Sequence, residues 1–279
     1  MKYLVSTAIL ALAIAAPAAA QDDEQPTDPF NGFYVGGTFG LDATANTDDG
    51  GFVFDTNRDG AFDNNVNTAA GANAFSPGSC GGFAQARTNT GCRDDKDSYG
   101  YSIRAGFDQR VGSNFVAGIV AEATKSESRD YVSAFSTTPA SYTIERGLDH
   151  SFALRGRLGF APGDARGLFY VTGGVAYGKM EHAFATTNTA NSFTQVDANE
   201  YELGGQVGGG AELYFMPNAS VTLEYLYQRF DDDSYYVNVG AGTAPATNPF
   251  LLNGGGTFIR PAETDYNLHS FRVGLNFRF

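Results

Sequence analysis

Four groups of residues in this chain have types and spacings suited to chemistry. Asp55 to Asp63 reads DTNRDGAFD, which is D-x-N-x-D-G-x-x-D, the first nine positions of a calcium-binding loop. In that reading Asp55, Asn57 and Asp59 supply side-chain oxygens, Ala61 a backbone carbonyl and Asp63 a direct or water-mediated ligand. Gly60 permits the sharp turn. The twelfth position is Val66, where a bidentate Glu is wanted. The other reading is an Asp/Asn/Gly turn at the tip of a hairpin between Phe52-Val53-Phe54 and Phe62, so calcium stands here as an open expectation. Cys80 and Cys92 form the second group. Two thiols with no neighbouring His do not make a metal site, and in an exported chain they read as one disulfide. The third group is a set of charges interleaved with apolar residues: Asp42, Arg104, Asp108, Glu122, Arg155, Arg157, Glu202, Glu212, Glu224, Arg272 and Arg278. The fourth is the three imidazoles, His150, His182 and His269, the last beside Ser270.

The elements that must carry these groups follow from a period of two. Counting back from Phe279, the residues Phe279, Phe277, Leu275, Val273 and Phe271 alternate with Arg278, Asn276, Gly274, Arg272 and Ser270. That is a β-strand with one apolar and one polar face. Seven more segments alternate: 33–42, 99–110, 115–125, 150–160, 168–178, 201–215 and 219–230. The third is less clean, because Val116 and Val120 share a face with Glu122. The charged residues singled out above fall on the crowded, glycine-rich face. His269 and Ser270 are neighbours in a strand and so point to opposite faces, which argues against a shared hydrolytic site.

The connections alternate as well. VGSN (111–114), the PGDARG stretch from Pro162 and MPNA (216–219) are short turn sequences, whereas 43–98, 127–149, 181–200 and 231–266 are long. Short turns on one side and long loops on the other are the pattern of an eight-stranded antiparallel transmembrane β-barrel, with the short turns in the periplasm. Outward aromatics sort to the two ends: Phe33, Phe107, Phe115, Phe160, Phe169, Phe215 and Phe277 near the turns, and Tyr101, Phe152, Tyr177, Tyr201 and Tyr227 near the loops. Two girdles are expected of a barrel in lipid. A soluble lipocalin-like barrel would invert the two faces.

Residues 1–20 have Lys2, an apolar run from Leu4 to Ile14, Pro17 and an A-x-A site, and read as a signal peptide cut after Ala20. Residues 21–31 read as an unstructured periplasmic segment, and 32–279 as the barrel. The whole chain carries a net charge of −13; without Lys2 it has 17 basic and 31 acidic residues. That balance argues against nucleic acid and anionic lipid as partners.

The stretch FNGFYVGGTFGLDA (30–43), together with FYVTGGVAYG (169–178), VTLEYLYQRF (221–230) and the terminal FRVGLNFRF, resembles the small outer-membrane β-barrel proteins of alphaproteobacteria, a porin-like and opacity-protein-like family. The resemblance implies the outer membrane of a Gram-negative bacterium, outer-membrane lipid and lipopolysaccharide as surroundings, and contact with the barrel-assembly machinery through a terminal strand ending on Phe279. It implies little about activity, and an enzyme is not expected. Members are surface antigens, envelope-stabilising proteins or narrow porins, so an envelope-structural, surface-contact role leads. A narrow or gated porin is the alternative, and lipid modification a weaker third. An eight-stranded barrel is nearly filled by its own side chains, so the inward charges are expected to form an ion-pair plug rather than an open polar path.

Overall fold

The computed structural model describes residues 29–44, 50–162 and 166–279. The expected signal peptide and nearly all of the acidic segment after it lie outside the described residues. Eight long strands form the barrel: β1 (Gly32–Thr44), β2 (Ser98–Val111), β3 (Phe115–Ser126), β4 (Ala140–Phe160), β5 (Gly167–Thr186), β6 (Tyr201–Met216), β7 (Ala219–Asp231) and β8 (Asp265–Arg278). Each pairs antiparallel with the next, and β1 pairs with β8, so the sheet closes on itself without an edge. The alternation read from sequence therefore becomes an outside and an inside. Phe33, Leu41, Phe169 and Leu203 each leave about two thirds of their surface exposed on the outer wall. Hydrocarbon at that density faces lipid.

Inside, the wall is crowded, and small residues make room. The side chains of Asp108 on β2 and Arg157 on β4 meet across the inner face of β3 at Gly118. A Cβ on Gly118 would lie 2.0 Å from Asp108 Oδ1. Gly106 likewise lies beneath the Tyr34 ring. Val116 and Val120, whose shared face with Glu122 blurred the pattern of β3, point inward with it and are buried.

The long connections are not loops in the ordinary sense. β4 and β5 run on together far past the girdle, paired as far as Tyr142 and Thr186. Asp130–Ser136 pairs with the extension of β4, and Ser79–Gly81 pairs with Asp130–Ser136. A separate four-stranded sheet is assembled from three connections: Ser192–Val196, Tyr236–Gly240, Thr257–Pro261 and Phe52–Asp55. Val132, Ala134, Tyr142 and Ile144 of the first layer pack with Phe54, Val237, Val239 and Ile259 of the second, and Phe75 and Phe250 fill between them. The result is a β-sandwich cap with its own core, standing on the barrel mouth. The expectation of four long loops is corrected to this extent: they carry enough apolar surface to be folded.

The short-turn end is also closed. Phe30, assigned from sequence to an unstructured lead-in, is fully buried and packs with Val116, Ala161, Leu168, Tyr170 and Tyr214. Its ring meets that of Tyr214 edge-on at 4.9 Å.

Candidate functional site: the charged lumen and its rim

Between these two closures the inward charges form two clusters. Nearer the short turns, Arg157 and Arg278 share Asp108 and Glu212. Arg157 donates to Glu212 Oε2 at 2.7 Å and through its Nε to Asp108 Oδ1 at 3.2 Å. Arg278 donates to Asp108 Oδ2 at 2.7 Å and lies 3.6 Å from Glu212 Oε1. Aromatic faces complete this cage: the Arg157 guanidinium sits 4.7 Å from the Tyr170 ring centroid, and that of Arg278 sits 4.9 Å from Tyr34. Ser220 donates to the second oxygen of Glu212 at 2.7 Å.

Towards the cap lies the second cluster. Arg155 bridges Glu122, at 3.1 Å, and Glu224, at 3.4 Å. Arg272 joins Glu122 to Asp42, at 3.3 and 3.4 Å. Arg104 reaches Glu224 at 3.6 Å and also donates to Thr222 Oγ1 and Asn276 Oδ1. Tyr170 donates to the other oxygen of Glu224 at 2.8 Å, which links the two clusters. Each cluster is neutral, with two arginines against two carboxylates in one and three against three in the other. Such side chains are retained in a low-dielectric interior only when paired and hydrogen-bonded.

Glu202 is the exception to the expected network. It faces inward but sits at the mouth, half-buried, where it accepts a hydrogen bond from Ser234 Oγ at 3.0 Å. Among the described residues no ion pair joins it to an arginine of the lumen. β6 simply carries it above the charged layer. Without it the lumen has five arginines and five carboxylates.

Above the charges come uncharged polar residues. Gln206, Gln228 and Ser270 are linked by hydrogen bonds of 2.7 and 3.1 Å. Over them lies an apolar layer of Leu148, Met180, Phe230, Tyr266 and Leu268. Higher still, Arg146 binds Asp130 and the Glu263 carbonyl, and His182 Nε2 contacts Asp232 Oδ2 at 2.8 Å. His182 is thus a residue of β5, stacked on Tyr235 at 4.0 Å, and not a loop residue as its place in the sequence suggested. His269 points outward to the Tyr225 hydroxyl at 2.8 Å while Ser270 is buried inside, so the two do not meet.

In the cap, Cys80 and Cys92 are bridged. The calcium-like stretch is a self-satisfied turn. Asp55 accepts from the backbone N–H groups of Arg58, at 2.6 Å, and Gly60, at 2.9 Å. Asp59 accepts from Ala61 N–H and from the Asn57 amide. Phe54 and Asn64 form a bridge across it. Among the described residues no group of three or more His, Cys, Asp or Glu is placed to hold a metal ion. Asp63 instead accepts from the Asn64 amide. Of the cap's acids Asp95 is the most perturbed: burial, then the neighbouring Asp130 charge, pushes it up to about 7 against the hydrogen bond it accepts from Tyr131 N–H. At the opposite end Phe279 extends from β8 with its ring exposed on the outer wall.

A 31 kDa outer-membrane immunogenic protein of Brucella melitensis is 26% identical over 177 residues, covering 63% of this chain and 65% of that protein, and its Brucella suis counterpart matches to the same extent. The match therefore spans just under two thirds of those relatives' length. Among solved structures, OprG of Pseudomonas aeruginosa is 12% identical, with a TM-score of 0.48 over 90% of this chain and 98% of its own. Neisserial surface protein A is 9% identical, with a TM-score of 0.35 over 90% and 100%. The family described as outer membrane protein beta-barrel domain matches residues 6–279. The closed eight-stranded barrel, its lipid-facing wall and that match agree: the chain belongs to this family of Gram-negative outer-membrane barrels.

Proposed function

We propose that the protein is a closed, non-enzymatic outer-membrane barrel that braces the envelope and presents its folded cap for contact outside the cell. The observation that carries this is the filled lumen: two neutral arginine–carboxylate clusters lie between an aromatic closure around Phe30 and an apolar layer around Phe230. A solute crossing the barrel would have to break several buried ion pairs and then displace a hydrocarbon layer. Breaking a buried pair costs several kcal/mol. The cap supports the surface role, because a sandwich with its own core presents a fixed outer surface rather than a mobile loop set. The non-enzymatic reading is supported by the separation of His269 and Ser270 onto opposite faces of the wall, which leaves that pair without a shared site. Single-channel recording of the purified protein in planar bilayers tests the proposal. Rare, small steps are expected. A large, steady, salt-proportional conductance would replace this reading with that of a narrow porin.

A further inference from the structure

On the outer wall, at the cap-side edge of the apolar band, three neighbouring strands place polar groups side by side. In the register Lys125 of β3 is opposite His150 of β4, and His150 is opposite Lys179 of β5. Tyr101 and Tyr201 flank the row on β2 and β6. His150 lies ten residues along β4 from the girdle residue Phe160. At about 3.3 Å per residue and a tilt of about 40°, that is about 25 Å along the membrane normal, the height of the apolar band. The row therefore sits where lipid headgroups of the extracellular leaflet begin.

The row is ordered by a β-bulge. The β4–β5 register slips between Lys179 and Met180, which leaves Asp149 unpaired and turned outward beside His150. Asp149 binds Lys125 through one oxygen and accepts or shares a proton with His150 Nδ1 at 2.9 Å through the other. His150 Nε2 is 2.9 Å from the Tyr201 hydroxyl. Among the described residues Lys179 is held only by Glu181, at 3.7 Å, and Glu181 is shared with Arg129. Glu127 and Glu181 stand two residues further from the membrane than the lysines. Below the lysines, the outward positions are Ala123, Phe152 and Tyr177, with no carboxylate. The two lysines are therefore tethered from above and open towards the bilayer. Across the barrel near this height the outward cation is Arg229 of β7, and it is paired with Asp265, so the row of two lysines belongs to the β3–β5 side of the wall.

We propose that the Lys125–His150–Lys179 row is a binding site for the phosphorylated headgroup of a glycolipid in the extracellular leaflet. Its acyl chains would lie down the wall of β3 and β4, where Ala117, Ala121, Ala123 and Gly156 leave the strand backbone close to the surface. The charge and the position are both required: an ammonium at the headgroup level attracts an anion, and two on either side of an ordered imidazole set where it sits.

The test measures lipid bound to detergent-folded protein by native mass spectrometry, with bisphosphorylated lipid A as the probe. Heat-modifiable migration confirms folding of each variant. Each lysine near an anionic headgroup is worth about fivefold in affinity. Lys179→Gln is expected to weaken binding about fivefold and Lys125→Gln/Lys179→Gln about 25-fold. Arg229→Gln, which removes a surface cation on β7, leaves it unchanged, and inorganic phosphate at millimolar excess does not displace the lipid. Native-like binding by the double variant, equal loss in the Arg229→Gln control, or displacement by free phosphate would each overturn the assignment.

Discussion

Replacing Arg157 with Met leaves the shorter cluster with one cation for two carboxylates. The Arg157 side chain is almost fully enclosed, as are those of Asp108 and Glu212. Removing one partner from a buried ion pair costs about 3–5 kcal/mol. Arg278 remains in contact with both acids, so the expected loss is at the lower end, about 3 kcal/mol, within which the lost contacts to the Tyr34 and Tyr170 rings are included. Arg157→Met/Glu212→Gln restores neutrality, and it is expected to be no less stable than either single variant. The assay is urea unfolding of the folded protein in lipid vesicles, followed by far-UV circular dichroism and gel mobility, since the chain has no Trp. Bilayer recordings on the same samples should show more frequent opening for Arg157→Met and native-like quiet for the double variant. Two results would refute the reasoning. One is a single variant within about 0.5 kcal/mol of the native protein, the range of ordinary surface changes. The other is a double variant whose loss is the sum of the two single losses, which would mean that the groups act independently.

Gly118→Ala is expected to cost about 2 kcal/mol by overpacking, because the new Cβ meets Asp108 Oδ1 at 2.0 Å and the Phe107 carbonyl oxygen at 2.7 Å; the same unfolding assay reads it, and a neutral result would show that the Arg157–Asp108 pair does not need the bare backbone. Trypsin cleavage at the exposed Arg87 should leave two fragments joined on a boiled gel until reductant is added, and Cys80→Ser/Cys92→Ser should lower the local stability of that loop by about 3 kcal/mol, seen as faster cleavage. Asp95 is held above the ordinary carboxylate value, so the folded cap binds its proton more tightly than the unfolded chain does. Its contribution to stability is present below about pH 4 and is lost as pH rises towards about 7. Proteolysis of the cap should therefore quicken between these limits, and Asp95→Asn, whose amide oxygen still accepts from Tyr131 N–H, should flatten the profile; an unchanged profile in that variant would place the dependence elsewhere.

The local alternation of residues was enough to determine the strands, their faces, the two aromatic girdles and the side of the wall on which each charge lies. A period of two is a property of neighbouring residues, and burial on one face only is written into it. The same alternation placed Arg155, Arg157, Glu122 and Glu224 inside but could not pair them. Which arginine meets which carboxylate depends on strand stagger and barrel radius, and these are set by the closure of β1 on β8, far apart in sequence. Glu202 shows the limit: its face was legible, but its height above the charged layer was not. The apolar layer of Met180, Phe230, Tyr266 and Leu268 was hidden for a related reason. At the mouth of the barrel the inside becomes the base of the cap, so the inward face turns from polar to apolar along a single strand. The cap is not legible as strands in the sequence, because its strands are short and their partners come from four separate connections. Only the tertiary structure brings Phe54, Phe75, Tyr142, Val237 and Phe250 together, and burying that shared apolar surface is what makes those connections fold.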